Sequence, residues 1–143
     1  MRDPRVDALA NILVNYSTGV KPGETCVIQS EVAAEPLVQA VYEEVLKAGG
    51  LPIVQLALTE AAPAFYKLAN DDQLTWIPPT AQWVAENIDT RIAIMADTNT
   101  RALSNVDPDK QTKVSTARKP LMDASMKRSA SGDYRWSLTL FPT

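Results

Sequence analysis

Histidine is absent from this chain of 143 residues, and that absence excludes more chemistry than any other feature. Without an imidazole there is no Ser-His-Asp or Cys-His catalytic set, no His-ligated zinc site and no imidazole general base near neutral pH. A single cysteine, Cys26, excludes an internal disulfide and a thiolate zinc cage, which needs several sulfur ligands. No apolar run approaches the roughly 18 to 20 residues of a membrane-spanning helix. The start, Met1-Arg2-Asp3-Pro4-Arg5, leads into an amphipathic segment rather than the apolar stretch of a signal peptide. These absences predict a soluble, cytoplasmic protein whose own chemistry is limited to carboxylates, lysines, hydroxyls or a bound cofactor.

What is present suits one domain, residues 1–143. A chain of this length buries on the order of 70% of its unfolded surface, enough for a core without staples. The net charge of −3 is unevenly spread. Residues 1–100 hold 6 bases and 13 acids, whereas residues 101–143 hold 8 bases and 4 acids. The bases of the last third are dispersed and lack interleaved aromatics, so contact with the acidic part of the same chain or with a following domain is a better expectation than nucleic acid or another acidic surface.

Asp3-Pro4 is a cap followed by a first-turn proline, and Val6, Leu9, Leu13 and Tyr16 then repeat at helical spacing up to Ser17-Thr18-Gly19. Thr25 to Gln29 reads as a buried strand. Leu37, Val41 and Val45, with Val38, Tyr42 and Leu46, form one broad helical stripe, and Gly49-Gly50 supplies its left-handed end. Leu51 to Leu58 is a near-continuous apolar strand, completing a right-handed βαβ unit. Ala61 to Ala69 reads as a short helix broken at Asn70-Asp71-Asp72-Gln73, and Thr80 caps another carrying Trp83, Val84 and Ile88. Arg91 to Ala96 is a third buried strand. After Asp107-Pro108 a helix carries Val114, Ala117, Leu121, Met122 and Ala124, and Trp136 to Phe141 is a fourth buried strand. The expected fold is α/β, three-layered, with a mainly parallel sheet of about four strands in the order 2-1-3-4, flavodoxin- or Rossmann-like. The stop at Pro142-Thr143, directly after a strand with no closing helix, suggests a cut within a longer protein, the alternative being a native terminus on an edge strand.

Open α/β sheets bind ligands beyond the carboxyl ends of their strands. The first crossover there reads Gln29-Ser30-Glu31-Val32-Ala33-Ala34-Glu35-Pro36 and has no glycine, which disfavours both a dinucleotide fingerprint and a phosphate loop. Asp97, after the third strand, and Glu31, after the first, are the two carboxylates that one crevice would bring together for Mg²⁺ or a small ligand. The competing reading of Asp97 is a turn cap bonded to its own backbone. Cys26 reads as packing rather than nucleophile, Trp83 and Trp136 as core, and Trp76, beside Ile77-Pro78-Pro79, as a loop contact for another domain.

Taken in order, several segments resemble one family. Val14-Asn15-Tyr16-Ser17, Val20-Lys21-Pro22-Gly23-Glu24 into Val27-Ile28, Pro36-Leu37-Val38, and Tyr42-Glu43-Glu44 into Ala48-Gly49-Gly50 are similar to the N-terminal region of the M29, thermophilic-type metalloaminopeptidases. Val106-Asp107-Pro108-Asp109-Lys110 and Arg135-Trp136-Ser137 closing on Phe141-Pro142-Thr143 extend the resemblance over nearly the whole chain. It implies a two-domain, dimeric cytoplasmic exopeptidase that removes N-terminal residues from peptides. Two divalent metal ions (Zn, Co or Mg) would be held by Glu, His and Asp side chains of a C-terminal domain. On that reading no catalytic, cofactor or metal position falls within residues 1–143, and the chain packs against the catalytic domain and helps to wall its substrate cavity. The alternative is a free-standing flavodoxin-like module that uses Asp97 and Glu31.

Overall fold

The computed structural model describes residues 2–96 and 103–142. Its first helix, α1 (Pro4–Ile12), is capped by Asp3, whose carboxylate accepts from the Arg5 N–H at 2.9 Å. The helix widens into a π-turn over Leu13–Ser17, closed by buried Thr18, whose hydroxyl donates to the Leu13 carbonyl at 2.8 Å. A wider turn shifts the helical period. Leu13 and Val14 therefore face the core while Tyr16, expected on the same stripe, is 80% exposed.

Strand β1 (Thr25–Glu31) leads through a short 3₁₀ turn, Val32–Ala34, into α2 (Glu35–Lys47). The stripe of α2 is buried at Leu37, Val38, Val41 and Val45, whereas Tyr42 and Leu46, expected on it, lie at its edge and are exposed. Its end is a Schellman motif: the Gly49 N–H donates to Leu46 and the Gly50 N–H to Val45. Gly49 has φ +80°, and a Cβ on Gly50 would lie 2.7 Å from Val20 Cγ1 and 2.9 Å from Val45 Cγ1. One glycine supplies a backbone angle and the other supplies space.

Strand β2 (Leu51–Ala57), helices α3 (Ala61–Leu68), α4 (Asp71–Thr75) and α5 (Pro79–Asn87), strand β3 (Thr90–Met95), helix α6 (Pro108–Ala130) and strand β4 (Arg135–Leu140) follow. Helix α3 ends at its cap Ala69, and Asn70 starts α4 through a reciprocal capping box with Gln73. Helix α5 begins at Pro79 with Pro78 before it, so Thr80 lies inside the helix and is not its cap.

The sheet order is β2-β1-β3-β4 and every pair is parallel, the architecture and order expected. One face carries Cys26, Ile28, Ile92 and Ile94 against α1, its π-turn and α2, and this is the main core. The other face buries Val27 with Ile88 and Tyr134 beneath α5 and the end of α6. Helices thus lie on both sides of the sheet.

The outer strands differ from expectation. Both were read as buried, yet Leu51, Val54 and Leu56 of β2 and Trp136, Leu138 and Leu140 of β4 are exposed. They occupy the two sheet edges, where the helical layers do not reach across. Val114, Ala117, Leu121 and Ala124 of α6 are half-buried, Met122 is exposed, and none of the helix's 23 residues is fully buried. Pro120 sits inside α6, where it has no N–H to offer the Thr116 carbonyl one turn earlier.

Candidate functional site

Glu31 ends β1 and is half-buried at the carboxyl edge of the sheet. Asp97 lies outside the described residues, so the pairing of these two carboxylates has no geometry to support it. Among the described residues no three His, Cys, Asp or Glu side chains come together as a metal-holding group. The described residues by themselves do not supply the ligands of a dinuclear metal site.

Three further acids are held in ion pairs. Glu43 accepts from Arg2 at 2.7 Å, Glu44 from Lys47 at 3.3 Å and Asp71 from Lys113 at 2.7 Å. The Arg2 guanidinium holds the Glu43 carboxyl below the usual range, and the Lys113 ammonium does the same for Asp71. Cys26 is fully buried mid-strand, and desolvation pushes its thiol up, away from the nucleophilic thiolate.

Two surfaces remain. The first is apolar. Trp136, Leu138 and Leu140 point to the same face of the sheet as Met95, a consequence of the register Arg91↔Trp136, Ala93↔Leu138 and Met95↔Leu140. All four are exposed, as are Met122 and Met126 of α6. Trp136 is 54% exposed and Trp83 47%, so neither is the core residue expected. Trp76, at 62%, is exposed as its loop position suggested.

The second is a polar row across the same face. The Arg91 Nε donates to Gln29 Oε1, and Gln29 Nε2 donates to Gln55 Oε1 at 2.9 Å. The row spans β3, β1 and β2 beneath α5 and α6, and lines a hollow of about 530 Å³. Sequence reading assigned none of these three a role. The available signal was an arginine on the sheet-facing period of an otherwise apolar strand, Arg91-Ile92-Ala93-Ile94-Met95.

The family described as thermophilic metalloprotease (M29) matches residues 2–143. The chain belongs to the M29 metallopeptidase family. The solved structure of wild-type AmpT from Thermus thermophilus is similar to this M29 chain with a TM-score of 0.77 and 18% identity. At that identity the likeness shows the shared fold. The match covers 96% of this chain and 36% of the AmpT chain, so the M29 sequence here spans about a third of that structure's length. No curated protein matches the chain. Among the described residues no helix is long and apolar enough to cross a membrane.

Proposed function

We propose that this chain is the N-terminal, non-catalytic domain of a cytoplasmic, metal-dependent aminopeptidase that removes N-terminal residues from peptides. Two divalent metal ions, and the Glu, His and Asp side chains that hold them, belong on this reading to a C-terminal catalytic domain of the same protein. Homodimerisation would then be a property of the assembled enzyme.

The observation that carries the reading is the uncovered face of β3, β4 and α6. Met95, Trp136, Leu138, Leu140, Met122 and Met126 form an exposed apolar surface of the kind that soluble domains present to a partner. Helix α6 supports it, since a 23-residue helix without one fully buried residue, interrupted by Pro120, gains little from its own domain. The occupant proposed is the remainder of the polypeptide, because the related AmpT chain is nearly three times as long as the matched segment. A chain without histidine brings no imidazole of its own to the metal pair.

The test is hydrolysis of aminoacyl-4-nitroanilides with Zn²⁺, Co²⁺ or Mg²⁺ added. The 143-residue chain is expected to be inactive alone, and active when expressed continuously with the coding sequence downstream of Thr143. Metal-dependent cleavage by the 143-residue chain alone overturns the proposal.

A further inference from the structure

Arginine pairing in this protein is selective. Arg2, Arg5 and Arg135 each form an ion pair with a carboxylate, and Arg128 lies over the Tyr134 ring, 5.8 Å from its centre. Among the described residues, the two arginines without a carboxylate or ring partner are Arg91 and Arg118. Both line the same hollow, between the sheet and helices α5 and α6. No Asp or Glu is among the described residues that line it, in a chain with 17 acids to 14 bases.

The polar row gives that hollow a direction. A guanidinium only donates, so Arg91 Nε fixes the Gln29 carbonyl oxygen towards itself and the Gln29 amide nitrogen towards Gln55. The Gln55 carbonyl oxygen is thereby used as an acceptor, which leaves its NH₂ group as the unfilled end of the row. The terminal nitrogens of Arg91 are likewise without a hydrogen-bond partner among the described residues. Each glutamine oxygen already accepts one bond, and the hydrogens left over, on the Gln55 amide and the Arg91 terminal nitrogens, are donors. A half-buried guanidinium with no counter-charge is unfavourable in the empty protein and becomes favourable when an anion is supplied. The opposite wall, with Val84, Ile88, Leu121 and Met122, is apolar. A volume of about 530 Å³ is ample for a small molecule.

We infer that this hollow binds a small oxyanion, a carboxylate or a phosphate, carried on an apolar body, with Arg91 and Arg118 as its charge partners and Gln55 as a further donor. The inference stands apart from the domain reading above. The site also lies off the carboxyl edge of the sheet, where the first crossover would have placed a ligand.

The experiment is a ¹⁵N NMR titration of the purified protein with inorganic phosphate and, separately, with acetate and hexanoate. Saturable binding is expected, with shifts at the Gln29 and Gln55 side-chain amides. Hexanoate ahead of phosphate identifies a carboxylate, and phosphate ahead of hexanoate identifies a phosphate ester. Hexanoate should bind at least roughly tenfold more tightly than acetate if the apolar wall is used. Arg118→Gln, at an exposed residue on the rim of the hollow with no ion pair among the described residues, should weaken binding by roughly tenfold, and Arg91→Gln by more. Lys119→Gln should leave it unchanged. Failure of phosphate and hexanoate alike to saturate below about 10 mM overturns the inference, as does binding that Arg118→Gln leaves unaltered.

Discussion

The Arg135 guanidinium meets the Glu24 carboxylate at 2.5 Å across 111 residues of sequence, and it also donates to the carbonyls of Thr18 and Gly19 at 2.7 and 3.2 Å. One side chain at the start of β4 thus joins the end of the first helix, the entry to β1 and the last strand of the sheet. A second tie lies nearby, where the Thr25 N–H donates to the Asp89 carboxylate at 2.9 Å and the Thr90 hydroxyl donates to the Thr25 carbonyl at 2.8 Å.

Arg135→Gln removes the charge and the geometry that serves two backbone carbonyls. Urea denaturation should show a loss of about 2 kcal/mol, with Arg135→Lys recovering only part of it, because an ammonium cannot match the planar fork. A variant as stable as the parent would mean that the three bonds contribute nothing net.

Gly50→Ala and Gly49→Ala should both destabilise, for different reasons. At Gly50 the new methyl meets Val20 and Val45 at under 3.0 Å, a packing penalty of about 1–3 kcal/mol. At Gly49 the cost is about 1–2 kcal/mol from a left-handed backbone angle. Adding Val20→Ala should relieve part of the first and none of the second, which a double-mutant comparison of melting curves would reveal.

Cys26 should be unreactive towards a thiol reagent such as DTNB at pH 8 and react fully once the protein is unfolded. Burial raises its thiol pKa in the folded state, so the fold favours the protonated form. That contribution is complete below the ordinary thiol pKa and is lost as pH rises through the elevated one. Rapid labelling of the native protein would show that the strand opens.

The carboxyls of Glu43 and Asp71 titrate in the opposite sense. Arg2 and Lys113 lower them, so their contribution to stability is present above the ordinary carboxyl range and is lost as pH falls through the depressed values. Side-chain NMR titration should place both midpoints below those of the same residues in Arg2→Gln and Lys113→Gln. Because the Asp71–Lys113 pair is solvent-exposed and the Glu43–Arg2 pair only half-buried, the stability change on breaking either should be small and should shrink further in salt, most of all for Asp71–Lys113.

Trp136→Gln and Leu138→Gln should change the stability of the 143-residue chain by less than about 0.5 kcal/mol, since neither side chain is buried. Both should reduce its binding of the apolar dye ANS. A large destabilisation by either substitution would assign these residues to the core of this domain instead.

The central βαβ unit was legible because its signals agree: the stripe of α2, the Gly49-Gly50 ending and two flanking apolar strands point to one packing arrangement. The strand order followed from that crossover and from adjacency. What the sequence concealed was which apolar strands the helices cover. Leu51 to Leu58 is as hydrophobic as the stretch around Val27 and Ile28, and only the arrangement of the layers leaves it at an edge. Tyr16 escaped its stripe through one π-turn, a local change of period that residue types do not announce. The polar row needed the register, since Gln29 opposes Gln55 only once β1 and β2 are aligned.

Pro120 gives α6 a seam. Before it, Lys113 holds Asp71 of α4 and Lys110 donates to the Tyr66 carbonyl of α3. After it, Arg128 donates to the Ala85 carbonyl of α5. The helix is therefore moored at two points to different neighbours, with its weakest rung between them. Arg118 and Leu121 both line the hollow and flank Pro120, so the break in the helical ladder falls where α6 faces the Arg91 charge on the sheet.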